Sequence, residues 1–183
     1  ISIKWGGTID KFIGDAIMIF FGDPNSQGEN QDAVNCVMMA MEMLEKLEEL
    51  RKDWRKKGLA LPLNARIGIH SGICTVGNFG SEDRLDYTII GNGVNLASRL
   101  ESNANPNSIL ISEDTYLHVQ EQIECKKHKE LKVKGVSYPV QTFLVEGLKI
   151  KEAINRKCLD QAMPGFSLQL NPEQIENLNL VKQ

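Results

Sequence analysis

The chain has no excess of positive charge, no paired-cysteine motif and no long apolar run. Its 183 residues carry a net charge of −3. No global attraction to nucleic acid is therefore expected, and an anionic ligand must be held by locally placed cations. The four cysteines, Cys36, Cys74, Cys125 and Cys158, are widely scattered. Without a CxxC pair or a Cys/His ligand spacing, no zinc site is expected. Size and composition point to reduced thiols rather than a disulfide framework. No stretch is apolar for long enough to span a bilayer, so this segment is expected to make no membrane contact. The opening "ISIKWGG" lacks the charged start and apolar centre of a signal peptide. It also lacks an initiating Met, and the expectation is a piece of a longer protein, cytoplasmic or the cytoplasmic part of a membrane-linked one. The glycines fit neither a Walker A loop nor G-x-G-x-x-G. Ser71 in "IHSGICTVG" has no nucleophile-elbow context, which argues against serine hydrolase chemistry. No internal repeat or low-complexity segment is found.

What is present is an ordinary globular composition, 42% hydrophobic and 25% charged. Residues 8–13 and 16–21 read as two β-rich runs joined around Gly14–Asp15, followed by the turn-rich "GDPNSQGEN". A helix is expected over 31–57, with Ala33, Val37, Ala40, Leu44, Leu47, Leu50 and Trp54 on one apolar face and Gly58 as its stop. Glycine-broken strands follow over 63–80 and 86–91. A helix over 92–102, a strand over 107–112, a short helix and a closing hairpin complete the order. Strands and helices alternate without a repeated βα unit, so the expectation is an α+β fold with a mixed sheet. Residues 1–147 are read as one domain. Residues 148–183, without a clear period, are read as an extension, with a helix starting at Asn171 and Pro172.

Three places carry candidate chemistry. Lys11 and Asp15 lie four apart around Gly14, and for an isolated K-x-x-x-D a salt-bridged hairpin is the ordinary reading. Asn95 and Arg99 are an i,i+4 pair near the start of the helix after "GNG". That placement suits an anion, although for the pair alone an amphipathic helix with a solvated Asn/Arg face is the ordinary reading. "KKHKELKVKG" is either a phosphate-attracting edge or a charged edge strand; alternation sets Lys132 and Lys134 on one face and Leu131 and Val133 on the other. His70, His118 and His128 have no ligand spacing and read as surface or satisfied core histidines.

Taken in order, "GGTIDKFIGDAIMIFFG", "ARIGIHSGICTVGNFGSEDRLDYTIIGNGVNLASRLES", "NSILIS" and "ELKVKG" resemble the catalytic domain of class III nucleotidyl cyclases, the adenylyl and guanylyl cyclases, over about residues 1–147. The resemblance is nearest to bacterial-type adenylyl cyclases and the soluble, bicarbonate-responsive subgroup. It implies a nucleotide cyclase fold with a ferredoxin-like βαββαβ core. It also implies conversion of ATP to 3′,5′-cyclic AMP and pyrophosphate by in-line attack of the ribose 3′-oxygen, with two Mg²⁺ or Mn²⁺ ions per site.

Carried over by motif, Asp15 matches a metal aspartate, Lys11 the lysine that reads adenine, and Thr88 the second base-reading position. Asn95 matches the ribose-orienting residue, Arg99 the arginine at the α-phosphate, and Lys134 the lysine at the terminal phosphates. Lysine donates and a threonine hydroxyl can accept, which suits adenine; guanylyl cyclases carry Glu with Cys or Ser instead. In the family the site is shared across a homodimer, and an upstream regulatory domain is common. The family's other metal aspartate precedes the glycine pair matching Gly6–Gly7, in an early strand that, with the first helix, these 183 residues do not contain. The expectation is that this stretch alone makes no cyclic AMP. The alternatives are a catalytically inactive cyclase-homology module or a guanylyl cyclase.

Overall fold

The computed structural model describes residues 1–58, 63–81, 84–132, 139–149, 159–163 and 166–170. The chain divides into two units, Ile1–Leu148 and Lys149–Gln183. In the first, a short 3₁₀ turn (Ile3–Trp5) precedes β1 (Thr8–Ile13), β2 (Ala16–Phe20) and α1 (Glu29–Lys56). Three strands follow, β3 (Arg66–Ile69), β4 (Thr75–Ser81) and β5 (Arg84–Ile90), and lead into α2 (Asn92–Asn103). β6 (Ser108–Ser112), α3 (Glu113–Val119), β7 (Ile123–Lys127) and β8 (Thr142–Leu148) complete it.

The central sheet runs β3-β6-β8-β7. β3 and β6 are parallel, while β6–β8 and β7–β8 are antiparallel, so the sheet is mixed as expected. β6, "SILIS", is an inner strand, and from Ile109 onward every residue is buried. An unbroken apolar run is what a strand covered on both faces requires. Alternation divides it. Ile109 and Ile111 join Ala33, Val34, Val37 and Ala40 of α1 and Val119 of α3 in one core. Leu110 joins Leu96 and Leu100 of α2, with Leu131 and Val140, in the other.

The expected stripe of α1 holds at its N-terminal half and fades at the other. Ala33, Val37 and Ala40 are buried, whereas Leu50 is exposed and its neighbour Arg51 is buried. The cause is polar satisfaction. Arg51 donates from Nε to the Leu63 carbonyl at 2.7 Å and from Nη1 to Glu48 at 2.8 Å, and Asn107 Oδ1 accepts from its Nη2. The helix stops at Gly58, φ +80°, as its glycine suggests. The closing hairpin is present, tied by a bridge between Leu131 and Val140, with Leu131 buried and Lys132 exposed. Lys134, and the helix expected from Asn171, lie outside the described residues.

In the second unit, β9 (Leu159–Met163) and β10 (Phe166–Leu170) pair antiparallel, Phe166 opposite Met163. The sequence reading found no element over 159–170. In "FSLQL" Phe166, Leu168 and Leu170 alternate with polar residues, the period of a strand. The dipeptide Pro164–Gly165 between the two strands is the other signal that could have found the hairpin.

Candidate active site

β1 and β2 form a tight hairpin in which Ile13 faces Ala16, leaving Gly14 and Asp15 as a two-residue loop. Gly14 takes φ +63°, a left-handed conformation that glycine adopts without strain at the first loop position. Asp15 is thereby exposed at the tip. Among the described residues its carboxylate has no hydrogen bond or ion pair. Phe12, Ile13 and Ile17 around it are exposed by 69%, 59% and 53%, an apolar collar that joins neither core cluster among the described residues.

Lys11 does not pair with Asp15. Its Nζ lies 3.7 Å from Asp10 Oδ2 instead. Adjacent residues in a regular strand point to opposite faces, so this contact needs an irregularity. Ile9 pairs with Ile19 and Lys11 with Met18, so Asp10 is an extra residue, a β-bulge. Bulges re-aim side chains and recur beside active sites. Here the bulge buries the Asp10 side chain to 1% exposure while leaving that of Lys11 45% exposed.

Thr88 sits in β5 opposite Gly77 of β4 and is buried. Its Oγ1 donates to Asp10 Oδ2 at 2.9 Å. Lys11 and Thr88, far apart in sequence, are thus brought together by a residue that the motif reading passed over. No local signal marks Asp10, because strand alternation sets it on the face opposite Lys11 and its partner Thr88 is 78 residues away.

Gly91 is extended, φ 163°, and leads from β5 straight into α2. Leu96 and Leu100 are buried and Asn95 and Arg99 exposed, so the i,i+4 pair shares the solvent face of the helix. Among the described residues no hydrogen bond or ion pair engages either side chain, and none links them to Asp15. The helix rests on a close approach. A Cβ on Gly68 of β3 would fall 2.1 Å from Glu101 N and 2.4 Å from Ala97 O. Arg66 Nε reinforces the seat with a 3.0 Å ion pair to Glu101.

His70 lies under the start of α2. A Cβ at Gly93 would meet its ring at 3.2 Å. Its Nδ1 is 2.9 Å from Ser112 Oγ, the N-cap of α3, and 3.7 Å from Asp114 Oδ2. Burial pushes the imidazole below its ordinary 6.5, against an upward pull from Asp114. The unfolded chain therefore takes up a proton at a pH where the folded one does not. Stability is full above about pH 6.5 and falls as the pH drops below it. Thermal unfolding between pH 7.5 and 5.5 is expected to show Tm falling with acidification, with a flatter dependence in His70→Gln.

The donor set also bears on metal binding. Among the described residues no group of three His, Cys, Asp or Glu side chains converges. A self-sufficient cage does not fit. A hard cation shared with substrate phosphates needs only one or two carboxylates, and the exposed Asp15 fits that chemistry. No helix among the described residues is long and apolar enough to cross a membrane.

The Adenylate and Guanylate cyclase catalytic domain family matches residues 9–147. An adenylate cyclase of Anabaena cylindrica is 33% identical over 150 residues, covering 77% of this chain and 28% of the relative. The chain thus spans little more than a quarter of that relative's length. The crystal structure of the adenylyl cyclase CyaB from P. aeruginosa aligns with TM-score 0.77 at 51% identity, over 79% of this chain and 74% of that one. The guanylyl cyclase Cya2 aligns with TM-score 0.74 at 37% identity, over 81% and 74%. Both kinds of cyclase therefore share this nucleotide cyclase fold.

Proposed function

This chain belongs to the adenylate and guanylate cyclase catalytic domain family, and on that premise we propose that it is the catalytic domain of an adenylyl cyclase, forming 3′,5′-cyclic AMP and pyrophosphate from ATP. The observation that supports ATP is the pair at Asp10: Lys11, a donor, beside Thr88, whose hydroxyl proton is already given to Asp10. Adenine offers an acceptor at N1 and a donor at N6, and this pair complements both. Guanine offers N1–H and O6, the reverse, and meets a mismatch at each point. A site built to hydrogen-bond one pattern discriminates strongly against its inverse.

In the reaction the ribose 3′-hydroxyl gives up its proton to solvent, and its oxygen bonds to the α-phosphorus as the bond to the pyrophosphate oxygen breaks. The protein positions the groups and stabilises charge. Asn95 orients the ribose, and Arg99 faces the α-phosphate, where a guanidinium can grip two oxygens at once. Asp15 would hold Mg²⁺ or Mn²⁺, which when bound neutralises charge on the triphosphate and the 3′-oxygen. Lys134 is assigned to the terminal phosphates. With Asn95 and Arg99 not linked to Asp15 by any contact among the described residues, a homodimer with two shared sites suits the arrangement, and the apolar collar around Asp15 suits a partner surface.

The experiment is an inversion of the pattern. In the full-length protein, Lys11→Glu with Thr88→Cys is expected to lower kcat/KM for ATP by about a hundredfold and to raise relative use of GTP. Unchanged ATP kinetics in that double variant would reject the base-reading roles.

A further inference from the structure

Asp10 is buried beside the base-reading pair and has no role in the reading above. Its Oδ2 accepts from Thr88 Oγ1 at 2.9 Å and stands 3.7 Å from Lys11 Nζ. Its other oxygen, Oδ1, is buried and finds no hydrogen-bond partner among the described residues. A buried carboxylate oxygen left without a partner costs stability. The bulge that places Asp10 there also interrupts the β1–β2 ladder. Neither feature serves the core, since the apolar clusters of the domain do not include this hairpin position.

The arrangement does something definite to Thr88. A hydroxyl is both donor and acceptor, and by itself reads adenine N6–H and guanine O6 equally well. A carboxylate only accepts. With its single proton held by Asp10, Thr88 Oγ1 has only lone pairs left to present. The same oxygen attracts the Lys11 ammonium at 3.7 Å without a hydrogen bond, which leaves its N–H donors to present outward.

We infer that Asp10 is a positioning residue for base specificity, fixing Thr88 as an acceptor beside the donor Lys11 so that the site takes an adenine nucleotide. The inference rests on the adenylyl cyclase reading and goes one step beyond it: Lys11 and Thr88 read the base, and Asp10 sets the polarity with which Thr88 reads.

The test is a double-mutant cycle in the full-length protein with Asp10→Asn, Thr88→Val and both together, read as the competition of ATP and GTP for displacement of a ribose-labelled fluorescent ATP. Binding is used so that the readout does not depend on turnover. Asn is nearly isosteric and can turn its NH₂ toward Thr88 Oγ1, which frees the hydroxyl to donate. Asp10→Asn is expected to narrow the ATP-over-GTP preference by about tenfold, the size of one hydrogen bond's discrimination. In the Thr88→Val background the same substitution is expected to change the preference less than twofold, because its effect passes through the hydroxyl. A merely structural Asp10 would weaken both nucleotides together, with Tm, and leave their ratio alone. An unchanged ratio in Asp10→Asn overturns the inference, as does an equal change with and without Thr88. A wild type that prefers GTP, or binds neither nucleotide, overturns the adenylyl cyclase reading and this inference with it. A wild type that prefers ATP with an unaltered Asp10→Asn ratio overturns this inference alone.

Discussion

Asp15→Ala in the full-length protein is expected to reduce cyclic AMP formation from Mn²⁺–ATP by on the order of a thousandfold while leaving Tm nearly unchanged. The two halves of that expectation have separate causes. Asp15 is exposed at the tip of the β1–β2 hairpin, and among the described residues it makes no hydrogen bond or ion pair. The fold gains nothing from its carboxylate, and exposed substitutions of this kind fall within about 0.5 kcal/mol of neutral. The turn itself depends on Gly14 at φ +63°, not on residue 15. The reaction, on the proposed reading, loses a hard oxygen ligand that neutral Ala cannot replace. Turnover assays paired with thermal unfolding check both halves. Full activity would remove Asp15 from the metal site, and a large fall in Tm would make it a structural residue.

Gly68→Ala is expected to destabilise the domain by about 3 kcal/mol and to abolish activity together with stability. The added Cβ would lie 2.1 Å from Glu101 N, 2.4 Å from Ala97 O and 2.8 Å from Glu101 Cα. All three are backbone atoms of α2, so no side chain can rotate away. Relief requires α2 to lift from β3, which would stretch the Arg66–Glu101 ion pair and open the cluster of Leu96, Leu100 and Leu110. The same helix carries Asn95 and Arg99, so the displacement would move both away from any nucleotide. Gly147→Ala in β8, where a Cβ meets nothing within 4 Å, is the control and is expected to leave Tm unchanged or slightly raised. Urea unfolding of the three proteins measures the difference; equal stability of Gly68→Ala and wild type would mean that α2 does not rest on this close approach.

Much of the fold was legible in the chain because it rests on local signals. The stripe Ala33, Val37 and Ala40, the run "SILIS" and the Gly14–Asp15 turn each obey a period or a turn rule within a few residues. The separation of Asn95 and Arg99 from Leu96 and Leu100 follows from helical geometry alone. The remainder depends on contacts between distant residues. Nothing local announces that residue 68 must lack a side chain, since the reason lies at Ala97 and Glu101. The bulge at Asp10 is equally hidden. Strand alternation, applied evenly, puts residues 10 and 11 on opposite faces, and the partner that draws Asp10 inward, Thr88, is 78 residues away. The fading apolar face of α1 has the same origin, because Arg51 is buried by what the loop at Leu63 and Asn107 offer it.

The central claim is that the Lys11–Asp10–Thr88 arrangement commits this cyclase domain to adenine. The direct measurement is initial velocity of the full-length protein with equal concentrations of ATP and GTP and Mn²⁺, with both cyclic products quantified. Cyclic AMP is expected to dominate, with kcat/KM for ATP at least about tenfold above that for GTP. Equal or greater formation of cyclic GMP would contradict it.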